Sequence, residues 1–156
     1  MSELTHIDAE GEARMVDVSA KPEHDREAMA RGEIRLAAAT LDAIESGDTA
    51  KGNVLATARL AGIMAAKKTA ELIPLCHPLP ITHAELDFEM PASRDRIVIT
   101  ASARISAKTG VEMESLTAVS TAALTIYDMC KAIDKQMVIS EISVTSKTKR
   151  SGHPSN

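Results

Sequence analysis

The sequence predicts an α+β domain in which an antiparallel sheet carries its helices on one face. Three features of the chain point there. Apolar residues alternate with polar ones, the period of a half-buried strand, over 26–36, 81–90, 96–106 and 138–145. Helical spacing or runs of small helix formers occupy 40–44, 54–72 and 114–134. The resulting order β, α, α, β, β, α, β is related to the split βαβ motif and layers as a sheet under helices.

Each element has a local cause. Residues 1–21 are polar apart from Met15-Val16-Asp17-Val18 and predict an arm or lid rather than core. In 26–36, Ala28, Ala30, Ile34 and Leu36 alternate with Glu27, Met29, Arg31, Glu33 and Arg35, so the period of two outweighs a composition of good helix formers. Thr40 to Ile44 read as a short helix stopped by Gly47, which accepts the left-handed cap without a Cβ clash. Asn53 serves as N-cap for a longer helix, Val54 to about Leu72, whose Ala56, Ala58, Ala61, Gly62, Ala65 and Ala66 allow close packing and which Pro74 ends. Pro74, Pro78 and Pro80 then stiffen the loop that holds Leu75, Cys76 and His77. The turn Pro91-Ala92-Ser93-Arg94-Asp95 joins 81–90 and 96–106 as an antiparallel hairpin. From Glu114 to Asp134, Leu116, Val119, Ala123, Ile126, Cys130 and Ile133 recur at steps of three and four, the clearest amphipathic helix in the chain. Val138 to Thr145 close the sheet. The expected organisation is an arm at 1–21, one α+β domain at 22–148 and a polar tail at 149–156.

At 156 residues, with 44% hydrophobic and 26% charged, the chain suits one core. A chain of this size buries about 68–70% of its extended surface and needs no disulfide or metal staple. Tyr127 and Phe88 are the only aromatics, which removes the stacking platforms of single-strand nucleic-acid binders and the aromatic belts of membrane proteins. Lys and Arg total 18 against 22 Asp and Glu, a formal charge of −4, so no nucleic-acid partner is expected and any anion site must be local. Cys76 and Cys130 lack CxxC spacing, and the start Met1-Ser2-Glu3-Leu4-Thr5-His6 has no signal-peptide pattern. No stretch approaches the ~18 apolar residues of a membrane span. A cytoplasmic protein with reduced thiols is the expectation.

Residues able to do chemistry gather in four places. Glu112 and Glu114 flank Met113 after Gly110; in an extended segment they point the same way and orient polar ligand groups together, whereas at a helix start they favour the macrodipole. Asp128 and Lys131 stand three apart on the long helix, read either as a proton-moving pair partly buried beside Tyr127, Met129 and Cys130 or as a solvated ion pair. His77 suits a phosphate or carbonyl contact, or a local cap. Cys76 reads as a small buried hydrophobe, because Cys76, His77, His83 and Cys130 fit no standard ligand spacing, and no metal site is expected. Lys51, Lys67, Lys68, Lys147, Lys149 and Arg150 supply the cations a polyphosphate needs if they converge, and a solvated surface if they do not. Neither GxxxxGK[ST], GxGxxG nor GxSxG occurs.

Read together, Lys51-Gly52-Asn53-Val54-Leu55-Ala56-Thr57-Ala58-Arg59, Leu72-Ile73-Pro74-Leu75-Cys76-His77-Pro78-Leu79, Lys108-Thr109-Gly110-Val111-Glu112-Met113-Glu114 and Ala122 to Lys131, with the early Met15-Val16-Asp17-Val18, resemble one family over residues 5–147. It is the cyclic pyranopterin monophosphate synthases, the C component of molybdenum cofactor biosynthesis. The resemblance implies a ferredoxin-like α+β subunit that converts 3′,8-cyclo-7,8-dihydro-GTP to cyclic pyranopterin monophosphate with release of pyrophosphate, formally a lyase. It also implies a homohexamer, a trimer of dimers with each active site at a subunit interface.

By motif position, the resemblance implies Asp128 and Lys131 as the central catalytic pair, with Lys51 and Lys67 as further proton-handling or phosphate-contacting lysines. It implies Leu75 and Cys76 as substrate contacts, His77 as a phosphate or substrate ligand, Glu112, Met113 and Glu114 around the purine-derived ring, and Arg26 and Lys147 on the phosphates. Lys51 and Lys131 are expected in opposite halves of the shared site. No resident cofactor is implied; Mg²⁺ would enter only with the triphosphate. The residue types suit the chemistry, since ring opening and closure need general acids and bases and departing pyrophosphate needs cations. Relatives often carry Gly-Gly after the basic residue of the tail, where this chain has Lys147-Thr148-Lys149-Arg150-Ser151-Gly152. The competing reading is a non-catalytic nucleotide- or pterin-binding regulator.

Overall fold

A computed structural model describes residues 4–151. The elements run β1 (His24–Arg35), α1 (Ala38–Ser46), α2 (Val54–Lys67), the single turn α3 (Thr69–Leu72), β2 (His83–Glu89), β3 (Arg96–Ala107), α4 (Glu112–Cys130) and β4 (Val138–Ser151). The sheet has the order β2-β3-β1-β4, and every neighbouring pair is antiparallel, as in ferredoxin-like folds.

Alternation in β1 and β3 sets which face is covered. Ala28, Ala30, Gly32 and Ile34 stand opposite Ala103, Ala101, Ile99 and Ile97 on one face of the sheet. Val119, Ala122, Ala123 and Ile126 of α4 join the same core. The other face carries charge. There Glu33 is buried but accepts from Arg31 at 2.9 Å and Arg96 at 3.1 Å, so the ion is paired where water is scarce.

The expected caps form. Gly47 takes a left-handed conformation (φ 77°) and donates back to Ala43 and Ile44, and Asn53 accepts from the Ala56 amide at 3.0 Å. Beneath α2 and α4 the packing is close enough to require glycine. A Cβ at Gly62 would stand 2.5 Å from a Leu86 methyl and 3.0 Å from the Ala118 carbonyl oxygen. Gly62 beside Ala118, with Lys51 bonded to Asp128, makes the two helices antiparallel.

Several boundaries differ from the sequence reading. The helix expected to reach Leu72 stops at Lys67, because the Thr69 hydroxyl turns back on the Ala65 and Ala66 carbonyls and Lys68 leaves helical geometry. Helix α4 starts at Glu112 and ends at Cys130. Asp134 is drawn away to accept from the Ala37 amide and the Thr40 hydroxyl, each at 2.9 Å, at the start of α1. Strand β4 continues past Thr145 to Ser151: its polar residues show no alternation, but the β1 backbone pairs Thr148 with Glu27 and Arg150 with Asp25. Positions expected in a tail from 149 therefore belong to β4 as far as Ser151, and the remainder lies outside the described residues. Between residues 4 and 23 the only ladder contact is the isolated bridge Ile7–Ala13.

Asp134 generates a pH prediction. Burial pushes its carboxyl up, but hydrogen bonds from Ala37, Gln136 and Thr40 outweigh burial and hold it below its ordinary value. A carboxylate so held contributes stability above its unfolded pKa and loses it as pH falls through the folded one. Asp134→Asn is therefore expected to cost about 1–2 kcal/mol at pH 7 by urea denaturation, with the gap to the parent protein closing below about pH 4. A gap that stayed constant down to pH 3 would remove the charge from the explanation.

Candidate active site

One group of predicted residues meets at the C-terminal end of α4. Lys51 sits in the loop that Asn53 closes at the start of α2, and antiparallel packing carries it to Asp128. The Asp128 carboxylate takes Lys51 Nζ on one oxygen at 2.7 Å and Lys131 Nζ on the other at 2.8 Å. The partial burial expected for this pair is not found: the side chain of Asp128 is 54% exposed and that of Lys131 58%. The helix turn that buries Met129 and Cys130 points Asp128 outward. Lys131, and then Lys51, pull the Asp128 carboxyl down to about 2, and Asp128 in turn raises Lys131. The expectation that Lys51 and Lys131 occupy opposite halves of a site is also corrected, since one carboxylate of one chain holds both.

The second group lies at the other end of α4. Glu112, Met113 and Glu114 form its first turn and are not extended, so the two carboxylates do not point the same way. Side chains two residues apart on a helix diverge by about 200°. Glu114 turns into the protein and is 2% exposed, while Glu112 stays half-exposed and pairs with Lys147 at 3.6 Å. Cys76 donates its thiol to Glu114 Oε1 at 3.7 Å, and Glu114 Oε2 is buried without a partner. Burial pushes the Glu114 carboxyl up; burial and then the Glu114 charge raise the Cys76 thiol to about 11, so it is a thiol and not a thiolate at neutral pH. Cys76 is only half-buried, against the small buried hydrophobe expected. His77 donates from Nε2 to the Val16 carbonyl at 2.6 Å, which ties the arm to the proline-bounded loop.

These residues line adjoining cavities. One of about 310 Å³ is bounded by Leu75, Cys76, His77, Glu112, Met113 and Glu114, with His6, Val16, Val18 and Lys21 of the arm on its far side. One of about 220 Å³ is bounded by Arg26, Lys147, Lys149 and Glu112. Lys67 and Lys68 face Glu114 across a third, of about 360 Å³. Arg26 also braces the β3–α4 connection, donating to the carbonyls of Ala107 and Lys108 at 3.1 Å each. Sequence reasoning missed Lys21 and the arm carbonyls. Lys21 belongs to no motif in a polar stretch whose other cation is Arg14, and a carbonyl leaves no mark in a sequence. Among the described residues, no three His, Cys, Asp or Glu side chains converge as a metal site.

The structure thus brings Lys67, Leu75, Cys76, His77, Glu112, Met113, Glu114, Arg26 and Lys147 to one end of α4, and Lys51, Asp128 and Lys131 to the other. Met113 and Asp128 are fifteen residues apart on one helix, about 22 Å at ~1.5 Å per residue.

Fold and clefts together define a ferredoxin-like α+β protein with small-molecule-sized, charge-lined cavities. No helix among the described residues is long and apolar enough to cross a membrane. The chain belongs to the MoaC family, whose profile matches residues 15–150. It is 61% identical over 152 residues to the cyclic pyranopterin monophosphate synthase of Desulfitobacterium hafniense, covering 97% of this chain and 93% of that protein. It is 58% identical to the synthase of a Roseiflexus species over 148 residues, covering 95% and 94% of the two chains. With that of Desulforapulum autotrophicum it shares 53% over 163 positions, covering 99% and 100%.

The shared carboxylate yields a spectroscopic prediction. The side-chain carbon of Asp128, followed by NMR, should titrate near 2. The midpoint should rise toward the ordinary aspartate value in Lys131→Ala, and less so in Lys51→Ala, because the Lys131 hydrogen bond is the larger cause. Equal, negligible shifts in both variants would mean that neither lysine holds the carboxylate in solution.

Proposed function

We propose that this chain converts 3′,8-cyclo-7,8-dihydro-GTP to cyclic pyranopterin monophosphate with release of pyrophosphate, a lyase step of molybdenum cofactor biosynthesis. The observation that carries the reading is the near-full-length likeness to proteins of that name, combined with the two charged groups on which the family's motif residues fall. Asp128 is ionised at neutral pH and keeps Lys131 protonated, so Lys131 acts as a proton donor to the opening ring, with Lys51 beside it as a second cation. Arg26 and Lys147 take the phosphates and stabilise departing pyrophosphate. Lys67 serves from the rim of the Glu114 cavity. Glu112, Met113 and Glu114, with Leu75, Cys76 and His77, hold the ring system. The unpaired Glu114 Oε2 is the group free to bond a ring nitrogen.

The working form in this reading is a homohexamer, a trimer of dimers with interface sites. Its support is the ~22 Å between the two groups of residues in one chain, farther than one ligand's reacting ring can bridge. Work in the cytoplasm suits the two free thiols. Mg²⁺, where it takes part, arrives with the triphosphate, and no step is routed through it. The relatives' shared name does not favour a non-catalytic regulator.

The direct test mixes purified protein with the cyclic GTP derivative and looks for the pterin and pyrophosphate; absence of both would overturn the proposal. Lys131→Ala and Asp128→Ala should each lower turnover by about 10²–10⁴-fold with unchanged melting, whereas a loss below tenfold would reduce the pair to a surface ion pair. By calorimetry, Arg26→Ala and Lys147→Ala should weaken both pyrophosphate and GTP, while Glu114→Gln should spare pyrophosphate and weaken GTP. Equal loss of pyrophosphate affinity in Glu114→Gln would undo the division into ring and phosphate ends.

A further inference from the structure

We propose that Lys149 is a third phosphate cation: beside Arg26 and Lys147, it takes the phosphates farthest from the ring, the pair that leaves as pyrophosphate. This rests on the reading that the substrate carries a triphosphate. It adds the side chain that grips the far end of that group, and it parts Lys149 from Arg150, its neighbour of the same charge.

From Thr145 onward β4 is polar, so its own pattern does not say which side chains face the helices. Its pairing with β1 does. Lys147 stands opposite Ala28 and Lys149 opposite Arg26, and the β3 partners of those two residues are Ala103 and Ile105, both buried on the helix side. Directly opposed residues of an antiparallel sheet share a face, which puts Lys147 and Lys149 on that side with Arg26. Arg150 stands opposite Asp25, whose β3 partner is Ser106, on the outer face. One extra residue makes this arrangement. The ladder pairs Val144 with Ala30 and Ser146 with Met29, so Thr145 has no partner, and its hydroxyl donates to the Met29 carbonyl at 3.3 Å. Regular pairing carried on from Val144 would set Lys147 opposite Glu27 and Lys149 opposite Asp25, both on the outer face. The bulge brings the two lysines to the helix side and sends Thr148 and Arg150 out.

The cavity they reach holds more positive charge than the chain answers. Arg26, Lys147 and Lys149 bound the space of about 220 Å³ at the start of α4, with Glu112 and Glu27 as its carboxylates. Arg26 is held by the Ala107 and Lys108 carbonyls, which fix its direction but carry no full charge. Glu27 is bonded to Arg104 at 2.7 Å. Glu112 lies against Gly110 and takes Lys147 at 3.6 Å. No carboxylate of the described residues stands within ion-pair distance of Lys149. Three cations therefore face one available carboxylate. The N-cap Val111 gives the first turn of α4 no side-chain acceptor, so the amide end of the helix adds to the same field. Such a field suits an ion with several negative charges, and a lysine brings it a compact charge on a flexible stem.

The order of the residues assigns the phosphates. Glu112 borders both the ring cavity and this one, Lys147 is bonded to it, and Lys149 lies two residues farther along β4, roughly 6.6 Å on a strand. The line from Glu112 through Lys147 to Lys149 thus runs from the ring toward the terminal phosphate. A contact made only to the far phosphates is the same before and during reaction at the ring. Its loss raises KM and leaves kcat near the parent value.

The test is calorimetry of the full chain with pyrophosphate, GTP and GMP. Lys149→Ala should weaken pyrophosphate and GTP by about tenfold, the scale of one charge-assisted contact at an exposed site, and leave GMP within about twofold. Lys149→Arg keeps the charge and should stay within about threefold of the parent for every ligand. Arg150→Ala removes the same charge one residue away on the outer face, and should leave all three ligands within about twofold. Pyrophosphate affinity unchanged in Lys149→Ala, or lowered as much in Arg150→Ala, would overturn the proposal. So would an equal loss of GMP, which lacks the outer phosphates.

Turnover separates this outcome from failure of the functional reading. With the cyclic GTP derivative, Lys149→Ala should raise KM about tenfold at near-parent kcat, and a fall in kcat at unchanged KM would overturn the far-phosphate assignment. A parent protein that forms no pterin, yet binds pyrophosphate in a Lys149-dependent way, would keep the site and discard the reading of the activity. A parent that turns over, matched by Lys149→Ala in both KM and pyrophosphate affinity, would discard the site and keep that reading.

Discussion

Helix α4 packs at once on the central strand β1, on β3 and on α2, and it comes this close only because Gly32 and Gly62 leave no side chain in the way. A Cβ at Gly32 would lie 2.6 Å from Val119, and one at Gly62 would meet the Ala118 carbonyl. The alanines on the buried stripe continue that approach, so the sheet and both long helices share one well-filled core. Everything with chemical interest hangs from this axle. The Lys51 loop is positioned by α2, the Cys76–His77 loop follows α3, and the two ends of α4 hold the carboxylates.

Because the axle is rigid, carboxylates at its two ends meet two environments. At the exposed end a carboxylate between two lysines is pulled down, and the lysine beside it is held protonated. At the buried end burial dominates, so Glu114 is pushed up and takes a neutral thiol as its only described side-chain partner. One helix thus offers an anion that keeps the Lys131 ammonium charged and, a helix length away, a buried carboxyl with one oxygen left without a partner. A chemistry that opens and recloses a ring while expelling pyrophosphate needs both kinds of group.

The arm adds a third wall. Its Asp8 side chain accepts from the amides of Glu10 and Glu12, folding the segment on itself, and it is moored by Val16 to His77 and by Ser19 to Lys108. A polar stretch with little core of its own is ordered by carbonyls that meet donors from the loop before β2 and the turn before α4. That placement makes the 310 Å³ cavity a bounded space instead of an open groove.

Local physics was legible in the sequence. Period-two alternation marked β1, β2 and β3; helical spacing marked α4; Asn53 and Gly47 marked the helix ends where they act; and ordered motifs pointed to the family. Each depends only on near neighbours along the chain, where a side chain's face or a cap's hydrogen bond is decided within a turn. The polar length of β4 was not legible, because its register comes from the β1 backbone and not from its own side chains. For Glu112 and Glu114 the sequence held both an extended segment and a helix start, and their divergence followed once Gly110 led into the helix. That Lys51 and Lys131 share one carboxylate, and that Asp128 between them stands ~22 Å from Met113, followed from the packing and length of α2 and α4. Such distances are fixed by which elements touch, and a one-dimensional pattern carries the faces of its helices but not the spacing between their ends.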